Sequence, residues 1–220
     1  ESITAAIGDG SGFGVRVRYS WEPQLLGSAG GPARALPLLD AERFFLVNGD
    51  TLSNADLAAL ASAHVASQAL VTLALTANPD PTHYGGVAVD ADGAVTGFTP
   101  KGPGNAGLHF IGIQAVEARV FAGLDPDTPA DTIGGIYDAL VAGRRGLVRA
   151  FVCQASFRDI GTAADYLATC LDLARDDGQG NVIAEPGSFV DADASIARSV
   201  IWSGARVSAG TVLDECVVAT

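Results

Sequence analysis

The sequence predicts a mixed α/β domain followed by a short hexapeptide β-helix, and three observations carry this expectation. Strand-like apolar runs alternate with segments of helical spacing through about the first 176 residues. One of these runs, Phe44-Phe45-Leu46-Val47, is apolar at every position, as a central strand covered on both faces would be. After residue 180 neither period persists. Val190, Ile196, Ile201, Val207, Leu213 and Val218 recur at intervals of 6, 5, 6, 6 and 5, with Ala192, Ala194, Gly204, Ala205 and Gly210 between them. A six-residue period with small residues at the corners is the pattern of a hexapeptide coil.

The elements follow in order. Residues 3–7 read as the end of a helix stopped by Gly8-Asp9-Gly10, and Val15 to Tyr19 alternates as a strand does. Gly27-Ser28-Ala29-Gly30-Gly31 is a small-residue loop, and a short helix follows from Ala33 to Leu39 with Pro32 near its start. Ser53 or Asn54 is placed to cap a helix carrying Leu57, Leu60 and Ala61. Ala69 to Ala77 is a buried strand. Residues 86–98 form a hairpin around Asp90-Ala91-Asp92-Gly93, and Pro100 to Gly107 is a Gly/Pro-rich loop. His109 to Ala115 and Val148 to Val152 read as strands, Glu117 to Leu124 and Ile133 to Ala142 as helices. Phe157-Arg158-Asp159 is extended, and Thr162 caps a helix running to Arg175. The domain is therefore expected at residues 1–176 and the coil at 181–220, where two turns fit.

Composition narrows the function. With 25 acidic against 13 basic side chains the net charge is −12, and no basic stripe offers a footprint for a nucleic-acid backbone. No apolar run is long enough to span a bilayer, so no membrane partner is expected. Three unclustered Cys exclude a disulfide scaffold and a Cys-based zinc site and suit a reducing cytoplasm. The absence of Met suggests that Glu1 is not a translation start. Of the basic residues 12 are Arg, and the single Lys, Lys101, invites a functional reason.

Asp50 ends an apolar strand at the sheet edge where such folds bind ligands. Asp159 ends another extended stretch. Each alone could be an ordinary turn Asp; together they could hold a hard divalent cation, Mg²⁺, whose shell is completed by phosphates and water. Lys101, on a flexible loop, could meet a phosphate as a compact charge. The Gly27–Gly31 loop could let the backbone approach a planar base. His64, His83 and His109 share no metal-ligand spacing and read as structural.

These segments, in this order, resemble the sugar-1-phosphate nucleotidylyltransferases, above all the mannose-1-phosphate guanylyltransferase-like enzymes. Tyr19-Ser20-Trp21-Glu22 and Leu26-Gly27-Ser28-Ala29-Gly30 resemble the family's Tyr-Ser-x-Glu and Leu-Gly-Thr-Ala-Gly. Phe45 to Asp50 is similar to its Val-Val-Asn-Gly-Asp strand, Tyr84-Gly85-Gly86-Val87 to Tyr-Gly-Val-Val, and Phe98 to Gly102 to Phe-x-Glu-Lys-Pro. His109 to Ile113 is similar to the next strand, Gly-Ile-Tyr, and Phe157 to Thr162 to Trp-x-Asp-Ile-Gly-Thr. Pro100, Gly102, Ser28 and Phe157 depart from the pattern.

The resemblance implies a Rossmann-like nucleotidyltransferase domain and a left-handed β-helix. It implies that an NTP, with GTP favoured, and a sugar 1-phosphate combine into an NDP-sugar and pyrophosphate, GDP-mannose being the favoured product. Asp50 and Asp159 would be the metal ligands and catalytic residues together with Lys101, which would meet the sugar phosphate. Gly27, Ser28, Ala29 and Gly30 would face the base, and Glu22, Gly85 and Gly112 would line the sugar pocket. Further copies of the chain are expected to associate through the β-helix. The family's N-terminal Gly-rich loop has no counterpart, so roughly the first third of a catalytic domain is expected to be missing and the segment alone to be inactive. A non-catalytic regulatory homologue that binds nucleotide-sugar is the alternative. An acyltransferase working in the β-helix would need a His, which residues 181–220 lack.

Overall fold

The computed structural model describes residues 2–220, and the chain divides into two compact units. The first holds the residues up to Val47 together with Ala55–Ala155; the second holds Asn48–Asn54 and Ser156–Thr220.

In the first unit, α1 (Ser2–Ile7) stops at Gly8, whose φ of +60° suits a residue without a Cβ. The stretch expected as a loop, 27–31, instead opens helix α2 (Gly27–Ala35), because its N–H groups find a carbonyl at Ala130. The helix encloses Pro32 and buries Ala29, Gly30 and Ala33. It stops short of the expected Leu39, giving way to a 3-10 turn, Leu36–Leu38, before β1 (Arg43–Val47). The chain then leaves for the second unit, where it forms β2 (Thr51–Ser53). It returns in α3 (Leu57–Ser67), β3 (Val71–Thr76), the hairpin β4 (Gly86–Val89) and β5 (Val95–Thr99), β6 (His109–Glu117), α4 (Tyr137–Gly143) and β7 (Val148–Val152).

The main sheet runs in the order β1–β6–β3–β7, with β6 antiparallel to both neighbours and β3 parallel to β7. The sheet is thus mixed, as an α/β chain with an inserted hairpin allows. Strand β3 is buried at every position. Val71, Leu73, Leu75, Val116, Phe121, Tyr137 and Val148 form the core with Ala29 and Ala33 of α2. The predicted hairpin turn forms around Asp90, whose Oδ1 accepts the N–H groups of Asp92 and Ala94, each at 3.0 Å. Gly93 takes φ +82° there, and Arg145 donates to Asp90 Oδ2 at 2.8 Å.

Several local expectations give way. The run Phe44–Val47 is not central: β1 is the edge of the sheet, and Phe45 and Val47 are 39% and 47% exposed. Val15–Tyr19 forms no strand, because no other strand pairs with it; Val17 makes a single backbone bond to Asp9. Residues 117–124 make only one 3-10 turn, Ala118–Val120, which seats the fully buried Phe121. The helix expected from Ile133 begins at Tyr137, because Ile133, Gly134 and Gly135 leave helical φ/ψ. Helix α3 is capped by Asp56, which accepts from Ala59 N–H at 2.9 Å, and neither Ser53 nor Asn54 serves it.

His64 of α3 is 2% exposed. Its Nδ1 shares a 2.8 Å hydrogen bond with the Thr72 hydroxyl, and its Nε2 faces Glu117 at 3.7 Å. Burial holds the imidazole below its ordinary value of 6.5; Glu117 pulls it up and Arg43 pushes it down. In the unfolded chain His64 charges near that ordinary value, so its neutral burial contributes stability present above about pH 6.5 and lost as the pH falls below it. The urea midpoint is expected to be lower at pH 5.5 than at pH 7.5, and the drop to be smaller in His64→Gln. Equal drops in both proteins would remove His64 as the cause.

In the second unit, β2 pairs antiparallel with β8 (Phe157–Asp159), and α5 (Ala163–Asp176) begins at the predicted cap: the Thr162 hydroxyl accepts from Asp165 N–H at 3.1 Å. Beyond α5 come the short strands β9 (Val182–Ala184), β10 (Phe189–Val190), β11 (Ser195–Ala197), β12 (Ser199–Ile201), β13 (Arg206–Val207), β14 (Val212–Asp214) and β15 (Val217–Val218). All pair in parallel, in three ladders: β9–β12–β15, β10–β13 and β11–β14. Val190 stands over Val207, Ile196 over Leu213 and Ile201 over Val218, a constant offset of about 17 residues, the length of a coil of three hexapeptide-like edges. This pairing is consistent with a β-helix. Ile201, Ala205 and Val207 form its core.

Candidate functional site

The two predicted aspartates belong to the second unit, and the β2–β8 ladder brings them together. Thr51 pairs with Asp159, and Ile160 N–H donates to the Asp50 carbonyl at 2.9 Å. The far end of this short ladder is closed by Asn54, whose Oδ1 accepts from Ser156 N–H at 2.8 Å, and by Ser53, whose hydroxyl donates to the Ser156 carbonyl at 2.8 Å. A slip of one residue would turn Asp159 to the other face, so these contacts protect the site. Arg158, between them in β8, donates to Asp172 of α5 at 2.6 Å and thereby holds that carboxyl below the usual carboxylate range.

The carboxylates converge over Gly161. A Cβ there would stand 3.2 Å from Asp159 Oδ1 and 3.9 Å from Asp50 Oδ2. Asp159 Oδ1 also accepts the Gly161 N–H at 3.1 Å. Among the described residues no group of three or more His, Cys, Asp and Glu forms a metal cage. Two carboxylate oxygens above a bare backbone are instead the donor set of a Mg²⁺ ion that keeps its remaining positions for water and phosphate, so the residues fit that ion.

The remaining predicted residues belong to the first unit. Lys101 is exposed on the loop between β5 and β6. That loop is pinned next to Lys101, where Gly102 N–H donates to the Pro81 carbonyl at 2.9 Å. It is pinned again at Asn105, which donates to the Tyr84 carbonyl at 3.1 Å and accepts from Thr99 and Gly107. Gly85 lines a pocket of about 180 Å³ with Val87, Phe98, Thr99, His109 and Ile133. Gly112 lies buried in β6 with φ +74°, where the β3–β6 register shifts between Leu73 and Leu75. The bulge explains the glycine.

The glycine-rich stretch is clamped to the segment before α4. Ala29 and Gly30 N–H groups both donate to the Ala130 carbonyl, at 2.8 and 3.1 Å, and Ala130 N–H donates to the Leu26 carbonyl at 2.9 Å. Ala29 is fully buried and Gly30 buried, whereas Gly27 and Ser28 are exposed. The Ser28 hydroxyl oxygen accepts Thr132 N–H at 2.9 Å and lies 3.0 Å from Thr132 Oγ1. Asp131 Oδ1 accepts from Ser28 N–H at 3.3 Å. Glu22 turns toward the start of α2, where its Oε2 accepts Leu26 N–H at 3.0 Å. Sequence reasoning missed Asp131, Thr132 and Ile133. The signal available was Gly134-Gly135, which argues against reading 133–142 as a continuous helix.

A mixed sheet carrying a glycine-rich helix start at α2 and an anchored glycine-rich loop between β5 and β6, and in the second unit a carboxylate pair at a strand pair, is an arrangement suited to handling phosphates. The sequence profile described as nucleotidyl transferase matches residues 1–176, and the chain belongs to that family. It is 30% identical over 229 residues to the mannose-1-phosphate guanylyltransferase of Mycobacterium tuberculosis, covering 97% of this chain and 62% of the relative. It is 35% identical over 133 residues to the N-acetylmuramate alpha-1-phosphate uridylyltransferase of Neisseria meningitidis serogroup B, covering 59% and 56%. The chain thus spans about three fifths of the length of these curated relatives. The crystal structure of HddC from Yersinia pseudotuberculosis complexed with GMP-PN is similar in fold, with a TM-score of 0.66 at 22% identity over 78% of this chain and 73% of that one.

Proposed function

We propose that the whole protein to which this chain belongs works as a sugar-1-phosphate nucleotidylyltransferase. Residues 1–176 would belong to its catalytic domain and 181–220 to a left-handed β-helix through which copies associate in the cytoplasm. The observation that carries this reading is the convergence of Asp50 and Asp159 over Gly161, in a chain whose relatives are named for transferring nucleotides to sugar 1-phosphates. GTP and mannose 1-phosphate are the favoured substrates, supported by the relative matched over 97% of this chain.

In the reaction a phosphate oxygen of the sugar 1-phosphate attacks the α-phosphorus of the NTP in line. A new P–O bond forms, and the bond to the β-phosphate oxygen breaks, releasing pyrophosphate. Mg²⁺, when bound, neutralises phosphate charge and orients the phosphates. Asp50 and Asp159 hold that ion, each from a strand whose register is fixed. Lys101 supplies an ammonium to the sugar phosphate from a loop anchored just after it at Gly102 and Asn105, so positioning and charge neutralisation do most of the work. The Gly85 pocket receives the sugar, and the exposed Gly27–Ser28 backbone flanks the base. No helix among the described residues is long and apolar enough to cross a membrane.

The test is pyrophosphate release from GTP and mannose 1-phosphate by the whole protein to which this chain belongs. Binding of both by that protein without release would overturn the catalytic reading in favour of a regulatory one. Lys101 is exposed and carries no packing, so Lys101→Ala is expected to leave the thermal midpoint unchanged. A lost charge-assisted contact is worth about 1.5–3 kcal/mol, which corresponds to a KM for sugar phosphate raised about 10- to 100-fold. An unchanged KM would take Lys101 out of the site.

A further inference from the structure

We propose that Ser28, although it belongs to the glycine-rich stretch assigned to the base, is a positioning residue for the sugar pocket. Three consecutive residues link the two places. Asp131 and Thr132 grip Ser28, and the next residue, Ile133, forms a wall of the pocket that also contains Gly85.

The grip is specific. The Ser28 hydroxyl oxygen takes the Thr132 N–H at 2.9 Å and faces Thr132 Oγ1 at 3.0 Å, while Thr132 is 5% exposed. Little water reaches Thr132, so removing the Ser28 oxygen leaves its N–H poorly satisfied and the backbone there must move. The segment that follows leaves helical geometry, and its first anchors come only after Ile133, where Gly134 N–H donates to Asp138 Oδ2 at 2.6 Å and Ile136 N–H to the Asp131 carbonyl at 3.1 Å. Ile133 has extended φ/ψ, Gly134 is left-handed at φ +80°, and Gly135 has φ −145° and ψ −112°. A shift at Thr132 is therefore passed to Ile133 before α4 begins at Tyr137, whose hydroxyl is fixed to Gln114 at 2.7 Å. Ile133 is 39% exposed, so its position is set by its backbone more than by packing. The inference rests on the proposed function, in which the Gly85 pocket takes the sugar.

The experiment is calorimetric titration of the protein, unaltered and as Ser28→Ala, with mannose 1-phosphate and separately with GTP. Ser28→Ala is expected to weaken mannose 1-phosphate about tenfold and GTP by a clearly smaller factor. Ser28→Thr, which keeps the oxygen, should restore the first value. Ile133→Ala should weaken mannose 1-phosphate alone. A loss confined to GTP, or equal losses for both ligands, would overturn the inference and make Ser28 a direct nucleotide contact or a general structural one. If Ser28→Ala does not fold, Ser28→Cys, which keeps the size but replaces the accepting oxygen with a weakly accepting sulfur, decides: a selective loss of mannose 1-phosphate supports the link, and unchanged affinity overturns it. Failure of the unaltered protein to bind either ligand overturns the function and the inference together, whereas normal binding with an indifferent Ser28→Ala overturns the inference alone.

Discussion

Asp50→Asn and Asp159→Asn should each lower turnover by about a thousandfold, the effect of losing roughly 4 kcal/mol of transition-state charge stabilisation. Asparagine keeps the size and one oxygen of the carboxylate but not its charge, so the β2–β8 ladder has no reason to shift. Both carboxylates lie near Gly161, and neither substitution removes packing, so thermal stability should hold in the absence of metal. The paired readout is pyrophosphate release and Mn²⁺ titration by electron paramagnetic resonance. Lost turnover with weakened Mn²⁺ binding and an unchanged melting temperature is the expected pattern. Full Mn²⁺ affinity in both variants would remove the pair as the metal site. Gly161→Ala offers a milder version, because its methyl would sit at 3.2 Å from Asp159 Oδ1.

The second large effect is on stability. Gly27 has φ +74°, and a Cβ there would meet the Ala130 carbonyl oxygen and Asp131 Oδ1, each at 2.7 Å. Gly27→Ala combines left-handed strain of about 1–2 kcal/mol with an overpacking cost of about 1–3 kcal/mol. Near 3 kcal/mol in total, this should lower the melting temperature by about 6–12 °C for a chain of this size. Gly8→Ala separates the two causes, since Gly8 has φ +60° with nothing within 4 Å and should show the strain alone. Equal shifts in the two variants would mean that the contact with residues 130–131 contributes nothing. Gly27→Ala should also speed amide hydrogen exchange at Ala29 and Gly30, which donate to Ala130.

The legible and illegible parts of the sequence divide on physical grounds. The hairpin turn at Asp90, the Thr162 cap and the coil spacing could be read because each rests on residues close in sequence or on a strict repeat. The Asp50–Asp159 pairing could be anticipated only as two strand ends that might meet; their register depends on Asn54 and Ser53 reaching Ser156, 102 and 103 residues away. No local pattern encodes such a partner. The same limit hid the Ser28–Thr132 grip, at a separation of 104. Phe44–Val47 misled because an apolar run reports a strand's composition and not its place in the sheet order, and the antiparallel β6 leaves β1 at an edge. Val15–Tyr19 has the alternation of a strand but no strand partner, and alternation alone does not satisfy backbone hydrogen bonds. Residues 117–124 read as a helix from their composition, whereas Phe121 is the plug of a single turn.

The constant offset in the coil sets a rule for how this part of the chain can change length. Every rung places a residue over its counterpart one turn away, with Arg198 reaching Asp214 at 2.6 Å and Glu215 at 3.0 Å as an outer clasp. A single-residue insertion within an edge would reverse the facing of every side chain up to the next corner, turning Ile196 or Ile201 outward. An insertion of one whole turn would add a rung and leave every existing neighbour in place. Tolerated length variants of residues 181–220 should therefore come in discrete steps of one turn, with smaller insertions confined to corners such as Gly187 and Gly204, where φ is already left-handed.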